Sequence, residues 1–320
     1  MAILLIGSGL VGSQIARILV EEGERPVILE LAPQPEAVAD IVDPKKIEIV
    51  QGDILNPLDL VRVIREGKIT RIIHTAANPL LTLGAQKNPY AAIQTNIMGT
   101  VNVLEAARVH GIERVVISSS GVLSYYLAGG EDKGDAMKEE AFPRPSTFYA
   151  ATKQAKESLG LNYARWFGLD FVAVRYAAVA GPWRGRGGGG PSNIFRDMVE
   201  HSIKGEEATI PPRTMEWVYS KDAAAGTVLA LKARGLKNRV FNLGMGKVYG
   251  PQEMIAAVKQ VIPGARISTA PPGAAEVSVQ NMDFSMDLSR SREELGYAPK
   301  YDIPAAVRDY SEWYRARKKA

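Results

Sequence analysis

The first thirty residues place an apolar run, a glycine-rich turn, a helical pattern and a second apolar run in immediate succession. The run 2–6 has the composition of a strand buried in a parallel sheet, and the turn Gly7-Ser8-Gly9-Leu10-Val11-Gly12 follows it directly. A helical pattern continues to about Glu22, and residues 26–29 have the pattern of a second strand, ending at Glu30. This order is the context that the G-x-G-x-x-G pattern requires, so it predicts the first βαβ unit of a dinucleotide-binding sheet.

Each glycine of the turn has its own steric purpose. Gly7 permits the tight turn, Gly9 lets backbone N–H groups approach a pyrophosphate, and Gly12 lets the helix pack close to the strand. Leu10 and Val11 begin the helix, whose N-terminus favours an anion. The alternative is a glycine turn that binds no ligand.

Glu30 lies where an acidic residue would bind the hydroxyls of an adenosine ribose, 18 residues after Gly12. Its charge would repel a 2′-phosphate, and no arginine follows among the next few residues. The sequence therefore favours NAD over NADP. The alternative is a solvated glutamate at the end of a strand.

Strand and helix patterns alternate up to residue 176. Further strands are predicted at 47–50, 71–74, 114–117 and 171–174, with helices at 57–65, about 89–109 and about 147–167. Repeated βα units predict an α/β fold with a doubly wound parallel (Rossmann) sheet over residues 1–176. Residues 177–320 are expected to form a smaller C-terminal substrate-binding lobe, except for a strand at 239–244 that returns to the sheet.

The composition excludes several functional classes. A chain of 320 residues with 39 basic and 35 acidic side chains is too balanced in charge to indicate a nucleic-acid partner. The absence of cysteine and the wide spacing of the three histidines argue against a metal site. No apolar run approaches the ~18 residues of a membrane span, so we expect a cytoplasmic protein.

Tyr149 and Lys153 form the strongest candidate for a catalytic pair. They are four residues apart in a predicted helix, so the phenol and the ammonium project from the same face. A phenol titrates near pH ~10, and acting as a base at neutral pH requires lowering its pKa by ~3 units, or ~4 kcal/mol. A fixed cation nearby supplies part of that stabilisation.

Several short motifs follow one another along the chain. After the glycine turn they are Gly52-Asp53-Ile54, His74-Thr75-Ala76-Ala77, Asn96-x-x-Gly99-Thr100, Ser118-Ser119-Ser120, Tyr149-x-x-x-Lys153 and Asp287-Leu288-Ser289-Arg290-x-x-x-Glu294-Leu295-Gly296-Tyr297. Together they resemble the extended short-chain dehydrogenase/reductases, also called the NAD-dependent epimerase/dehydratase family. The glycine turn is one residue shorter than the family's usual G-x-x-G-x-x-G.

The resemblance implies roles for individual residues. Tyr149 would be the acid/base, and Lys153 would hold the nicotinamide ribose and lower the tyrosine pKa. Ser120, or alternatively Ser119, would hydrogen-bond the substrate oxygen, and Asn96 would brace the site from the long helix. The remaining cofactor contacts that the resemblance implies are Asp53, Ile54, Ala76 and Ala77.

Two segments depart from the family members that act on nucleotide sugars. Ala178 or Val179 stands where those enzymes carry an asparagine, and Met215 and Glu216 stand where they carry an arginine for the diphosphate. A diphosphate without guanidinium partners binds poorly. This favours a smaller hydroxylated substrate such as a sugar or sugar acid.

Three arginines keep the nucleotide-sugar alternative open. Arg184 and Arg186 lie in a glycine-rich segment, 184–190, that we expect to be a loop over the active site, and Arg213 precedes Met215. The sequence thus predicts an NAD-dependent oxidoreductase that transfers hydride at a secondary alcohol or ketone carbon. The alternatives are a (nucleotide-)sugar epimerase with retained cofactor and a non-catalytic NAD sensor.

The helices at 89–109 and 147–167 are those through which the family pairs two subunits. The resemblance therefore implies a homodimer, and the alternative is that both helices pack only on their own sheet. Candidate contact residues are Tyr90, Ile93, Ile97, Leu159 and Tyr163.

Overall fold

The structure is a computed structural model, and it describes residues 2–77, 85, 87–123, 136–140, 143, 145, 147–271, 282 and 284–317. The strands are Ile3–Ile6 (β1), Val27–Glu30 (β2), Glu48–Gln51 (β3), Arg71–His74 (β4), Arg114–Ser120 (β5), Phe171–Tyr176 (β6), Ala178–Ala180 (β7), Glu207–Ile210 (β8), Met215–Tyr219 (β9), Val240–Leu243 (β10), Val248–Tyr249 (β11) and Arg266–Thr269 (β12). The α-helices are Leu10–Glu21 (α1), Pro35–Ala39 (α2), Pro57–Glu66 (α3), Pro89–Ile93 (α4), Gly99–Val109 (α5), Phe148–Phe167 (α6), Gly189–Lys204 (α7), Ser220–Lys232 (α8), Pro251–Val261 (α9), Ser289–Leu295 (α10) and Ile303–Arg317 (α11).

The main sheet of the described residues has seven strands in the order β3-β2-β1-β4-β5-β6-β10. Every neighbouring pair in it is parallel. The chain starts at the centre, winds to one edge and then crosses to the other, which is the doubly wound arrangement. The predicted fold class is therefore confirmed. At the far edge β10 runs beside β6, with Val240 opposite Ala173.

Successive side chains of each strand point to opposite faces of the sheet, and this divides the core into two layers. Ile3 and Leu5 point into one cluster of buried side chains, and Leu4 and Ile6 point into the other. The first layer lies under α1 and α8, which pack against each other, and it continues into the C-terminal third of the chain as far as Tyr314. The second layer lies under α3, α5 and α6.

Local signals fix the ends of the helices that carry the predicted site. The Thr147 hydroxyl accepts a hydrogen bond from the Ala150 N–H and caps α6, which ends at Gly168 with a φ of 68°. The helix predicted at 89–109 is present, but a π-helical turn over Gln94–Met98 interrupts it between α4 and α5. Such turns insert an extra residue into a helix and often mark functional positions.

The C-terminal part adds two small sheets, β11-β9-β7 and β12-β8. The sequence predicted only a looser pattern there, and the division of the chain at residue 176 stays a prediction. No helix in the described part of the chain is long and apolar enough to span a membrane. The same residues contain no group of three or more histidine or acidic side chains arranged to hold a metal ion.

Candidate active site

Steric contacts explain two of the three glycines in the turn. Gly7 has a φ of 98°, and a Cβ there would lie 2.9 Å from the Ala76 nitrogen. A Cβ on Gly12 would lie 2.0 Å from the Gly7 carbonyl oxygen. A Cβ on Gly9, by contrast, would meet nothing within 4 Å. The fold therefore requires glycine at positions 7 and 12, whereas Gly9 borders open space.

The N-terminus of α1 opens onto that space. Gly9 is its N-cap, and no side chain caps the helix. The first backbone N–H groups of a helix, here those of Leu10, Val11 and Gly12, have no partner within the helix and carry the positive end of its dipole. An uncapped helix start beside an open glycine fits the pyrophosphate of a dinucleotide.

Glu30 is at the end of β2, as predicted, and it is bonded to the glycine turn. One carboxylate oxygen, Oε2, accepts hydrogen bonds from the Ser8 N–H at 2.8 Å and the Ser8 hydroxyl at 2.9 Å. The acid therefore fixes the conformation of the glycine turn, and its contact with a ribose stays a prediction. The sequence offered no signal for the contribution of Ser8.

The other predicted cofactor residues lie along the same edge of the sheet, because the carboxyl ends of parallel strands meet there. Asp53 follows β3, and its Oδ1 accepts a hydrogen bond from the Leu55 N–H at 2.8 Å. Ile54 is buried against the helix start at Gly99. The positions that follow β4, at the same edge, are Ala76 and Ala77.

The serine triplet ends β5 at the carboxyl edge. Ser120, the last residue of the strand, is half-buried, and its Oγ accepts a hydrogen bond from the Val122 N–H at 3.3 Å. The buried Ser119 hydroxyl has no hydrogen-bond partner among the described residues. The Ser118 carbonyl accepts a hydrogen bond from the Lys153 ammonium at 3.0 Å, which ties the strand to α6.

Tyr149 and Lys153 lie on the same face of α6. The Lys153 nitrogen is 5.5 Å from the centroid of the Tyr149 ring. Lys153 is buried, and this burial lowers its pKa to about 8, while the carboxylate of Glu157 acts in the opposite direction. The amine is therefore still mainly protonated at neutral pH, and its charge is close to the phenol.

Asn96 braces the helix that carries the tyrosine. It is buried within the π-helical turn, and its side-chain amide donates to the Thr152 hydroxyl at 3.1 Å. That hydroxyl donates in turn to the Tyr149 carbonyl at 2.8 Å. The bracing of the active site by Asn96, which the resemblance implied, stays a prediction, and the sequence did not identify Thr152 as an intermediary.

A buried ion pair and a buried amine also surround the site, and the sequence predicted neither. Glu157 accepts hydrogen bonds from two nitrogens of Arg175, at 2.9 and 2.7 Å. Lys156 is fully buried with its nitrogen 3.5 Å from Nε2 of His74. Burial lowers the pKa of both Lys156 and His74, and the neighbouring positive charge of Lys153 adds to the effect. The sequence indicated only that Glu157 would lie on the same helix face as Lys153, because the two residues are four positions apart.

The two arginines of the glycine-rich segment 184–190 contact α11 and the residues after β2, and the last two residues of the segment begin helix α7 instead of lying in a loop. The Arg184 guanidinium is 5.8 Å from the ring centroid of Trp313 and 5.1 Å from that of Tyr314, both on α11. The Arg186 N–H donates to the Gln34 side chain, just after β2. Their contact with substrate stays a prediction.

Comparison with known proteins agrees with this geometry. The model of the NAD dependent epimerase/dehydratase family matches residues 3–244. The UDP-glucose 4-epimerase of Corynebacterium glutamicum is 28% identical over 329 residues, covering 95% of this chain and 92% of that protein.

Two solved structures are similar over almost their whole length. The UDP-glucose 4-epimerase of Thermus thermophilus in complex with NAD is 26% identical, with a TM-score of 0.82 and coverage of 98% of this chain and 99% of that one. The UDP-glucose 4-epimerase of Thermotoga maritima with UDP-glucose has a TM-score of 0.85 at 23% identity, covers 99% of this chain and 100% of that one, and supports the fold. The resemblance inferred from the sequence motifs is confirmed.

Proposed function

Because the chain belongs to the NAD dependent epimerase/dehydratase family, we propose that it transfers a hydride at a secondary alcohol or ketone carbon of a sugar or similar hydroxylated substrate. Family membership makes the chain an enzyme that uses NAD, as the sequence predicted. The observation that carries the proposal is the pairing of Tyr149 with the buried Lys153 amine at 5.5 Å, next to the strand that ends in Ser120.

In this proposal each side chain of the site has one task. Bound NAD supplies the hydride acceptor or donor. The Tyr149 phenolate takes the proton from the substrate hydroxyl as the carbonyl forms, and it returns the proton in the reverse direction. The Lys153 ammonium stabilises the phenolate, and the Ser120 hydroxyl orients the substrate oxygen. Asn96 holds the helix that positions the tyrosine.

We assign the cofactor to the carboxyl edge of the main sheet. The pyrophosphate would lie over Gly9 at the start of α1, and Glu30 would face the adenosine ribose. Lys153 would contact the nicotinamide ribose. The other residues proposed to line this groove are Gly7, Leu10, Val11, Gly12, Asp53, Ile54, Ala76 and Ala77.

A second candidate is 4-epimerisation of a nucleotide sugar with retained cofactor. It is favoured by the UDP-glucose 4-epimerases of similar length at 26–28% identity. Met215, which replaces the expected diphosphate arginine, is buried and pairs in register with Tyr249. Arg213 lines the same small cavity as Met215 and Trp217, so a guanidinium is present two residues from the expected position.

One experiment separates the two candidates. Purified protein is incubated with NAD and a panel of polyols, sugar acids, hydroxy acids and UDP-sugars, and both NADH absorbance and product configuration are followed. Accumulation of NADH supports the dehydrogenase, whereas an isomerised sugar with tightly held cofactor supports the epimerase. NAD binding without any turnover would refute both.

Tyr149→Phe tests the assigned base in either case. We expect loss of turnover with little change in NAD affinity. Tyr163→Phe is the matched control. Tyr163 lies near the other end of the same helix, where its hydroxyl donates to the Glu105 carboxylate. Near-normal activity of Tyr149→Phe would refute the mechanism.

We propose that the enzyme is a homodimer paired through α4–α5 and α6. The exposed large apolar side chains of these helices include Tyr90 at 72%, Trp166 at 69% and Phe167 at 57% exposure. Leu159 and Tyr163 instead pack on the core of their own subunit. Light scattering should give the mass of two chains, and Trp166→Glu should shift it toward one. A monomeric wild-type protein at micromolar concentration would contradict the proposal.

We also propose a cytoplasmic location, which the absence of cysteine from the sequence supports. Cell fractionation with an antibody to the chain would test it, and recovery outside the cytoplasmic fraction would refute it.

A further inference from the structure

Residues 183–188, which we call the strap, form a short segment that is fastened at several points. The Trp183 indole N–H donates to the Arg186 carbonyl at 3.2 Å, and the Arg186 N–H donates to the side chain of Gln34. A Cβ on Gly185 would lie 2.2 Å from the Trp183 ring and 3.0 Å from Gln34 Oε1. The strap is therefore held in one conformation by these two hydrogen bonds, and that conformation leaves no room for a side chain at Gly185.

The strap joins two distant points on one edge of the main sheet. Its chain comes from β6 and β7, whereas Gln34 follows the carboxyl end of β2 by four residues. In the strand order, β6 and β2 are four steps apart, or ~19 Å at ~4.8 Å per step. The carboxyl edge that the strap reaches is the edge that carries the glycine turn and Glu30.

The two arginines of the strap have different surroundings. Arg184 is held against the rings of Trp313 and Tyr314. The Arg186 side chain is exposed, and its guanidinium has no hydrogen-bond or ion-pair partner among the described residues. The strap thus fixes the backbone of Arg186 through Gln34 and leaves its cation available.

We infer that the strap binds over the adenosine end of NAD and that Arg186 supplies the contact. A planar guanidinium can stack on a base and can pair with a phosphate, and both groups belong to this half of the cofactor. The inference rests on the NAD dependence of the family and assigns Arg186 to cofactor retention instead of to the substrate. A retained cofactor is what an epimerase in particular requires.

The test measures NAD binding to the substrate-free protein by titration calorimetry and by the dissociation rate of NAD. Arg186→Ala should weaken NAD binding about tenfold, mainly through faster release, because it removes one partly solvated, charge-assisted contact. Arg184→Ala is the matched control, with the same change of charge two residues away, and it should alter NAD affinity less than about twofold. Equal effects of both variants, or an unchanged affinity in Arg186→Ala, would overturn the inference.

Two further variants separate the strap from a general change of charge. Arg186→Lys keeps the charge but loses the planar group, so its affinity should fall between those of the wild type and Arg186→Ala. Gln34→Ala removes the anchor of the strap and should accelerate NAD release while every arginine is retained. Release at the wild-type rate in Gln34→Ala would count against the strap. These experiments measure NAD binding alone and do not depend on hydride transfer. Tyr149→Phe tests hydride transfer separately, because it should abolish turnover and leave NAD binding unchanged.

Discussion

The glycine turn gives the sharpest prediction, because two of its glycines differ in what surrounds them. In Gly12→Ala the new Cβ would lie 2.0 Å from the Gly7 carbonyl oxygen, whereas an ordinary C···O contact is about 3.3 Å. Helix α1 would have to move by about 1.3 Å, and overpacking of this kind costs about 1–3 kcal/mol of the free energy of unfolding.

Gly9→Ala should separate stability from binding. The new Cβ meets nothing within 4 Å, and the backbone, with φ −70° and ψ −162°, is open to alanine. The free energy of unfolding should stay the same or rise by about 0.4–1 kcal/mol, because alanine restricts the unfolded chain. The methyl group would enter the space assigned to the pyrophosphate and weaken NAD binding by about 10- to 100-fold, the equivalent of one charged hydrogen bond.

The assays are urea unfolding without NAD and calorimetric titration with NAD. The wild type and Gly12→Ala are the references, since Gly12→Ala should lose both stability and affinity. The reasoning fails if Gly9→Ala binds NAD within about threefold of the wild type.

Three further predictions concern α6 and its neighbours. The pKa of Lys153 is about 8, so its charge is lost as the pH rises through that value, and kcat/KM should fall about tenfold per pH unit above pH ~8 in a pH–rate profile. Arg175→Met leaves the Glu157 carboxylate buried without its partner and should lower the free energy of unfolding by about 3–5 kcal/mol. The double variant Arg175→Met/Glu157→Leu should recover most of this loss, as measured by urea titration. Gly160→Ala places a Cβ 2.1 Å from the Phe171 ring and should lower the melting temperature, despite the higher helix propensity of alanine.

The sequence predicted the main sheet closely because its central strands are buried on both faces. The apolar runs predicted at 71–74 and 171–174 correspond to β4, Arg71–His74, and to β6, Phe171–Tyr176, which is two residues longer. Periodicity identifies such strands directly. It could not identify the π-helical turn, because one inserted residue in a helix leaves no compositional mark.

The candidate site was predictable where chemistry and position coincide in a short motif. Tyr149 and Lys153 share a helix turn, so their spacing alone determines that they meet. Contacts between distant parts of the chain left no comparable signal. Ser8 with Glu30, and Arg186 with Gln34, are brought together by the order of strands in the sheet and not by sequence spacing.

The late position of β10 in the chain has a consequence for biosynthesis. Val240–Leu243 covers the open edge of β6, and the preceding helix α8 shields α1, although both follow the glycine turn by more than 200 residues. A nascent chain that has left the ribosome only as far as β6 would expose an unpaired strand edge and an apolar helix face, the features that promote aggregation. The main sheet can therefore be completed only after synthesis has passed β10, although the glycine turn and five of the sheet's other strands lie in the first 120 residues.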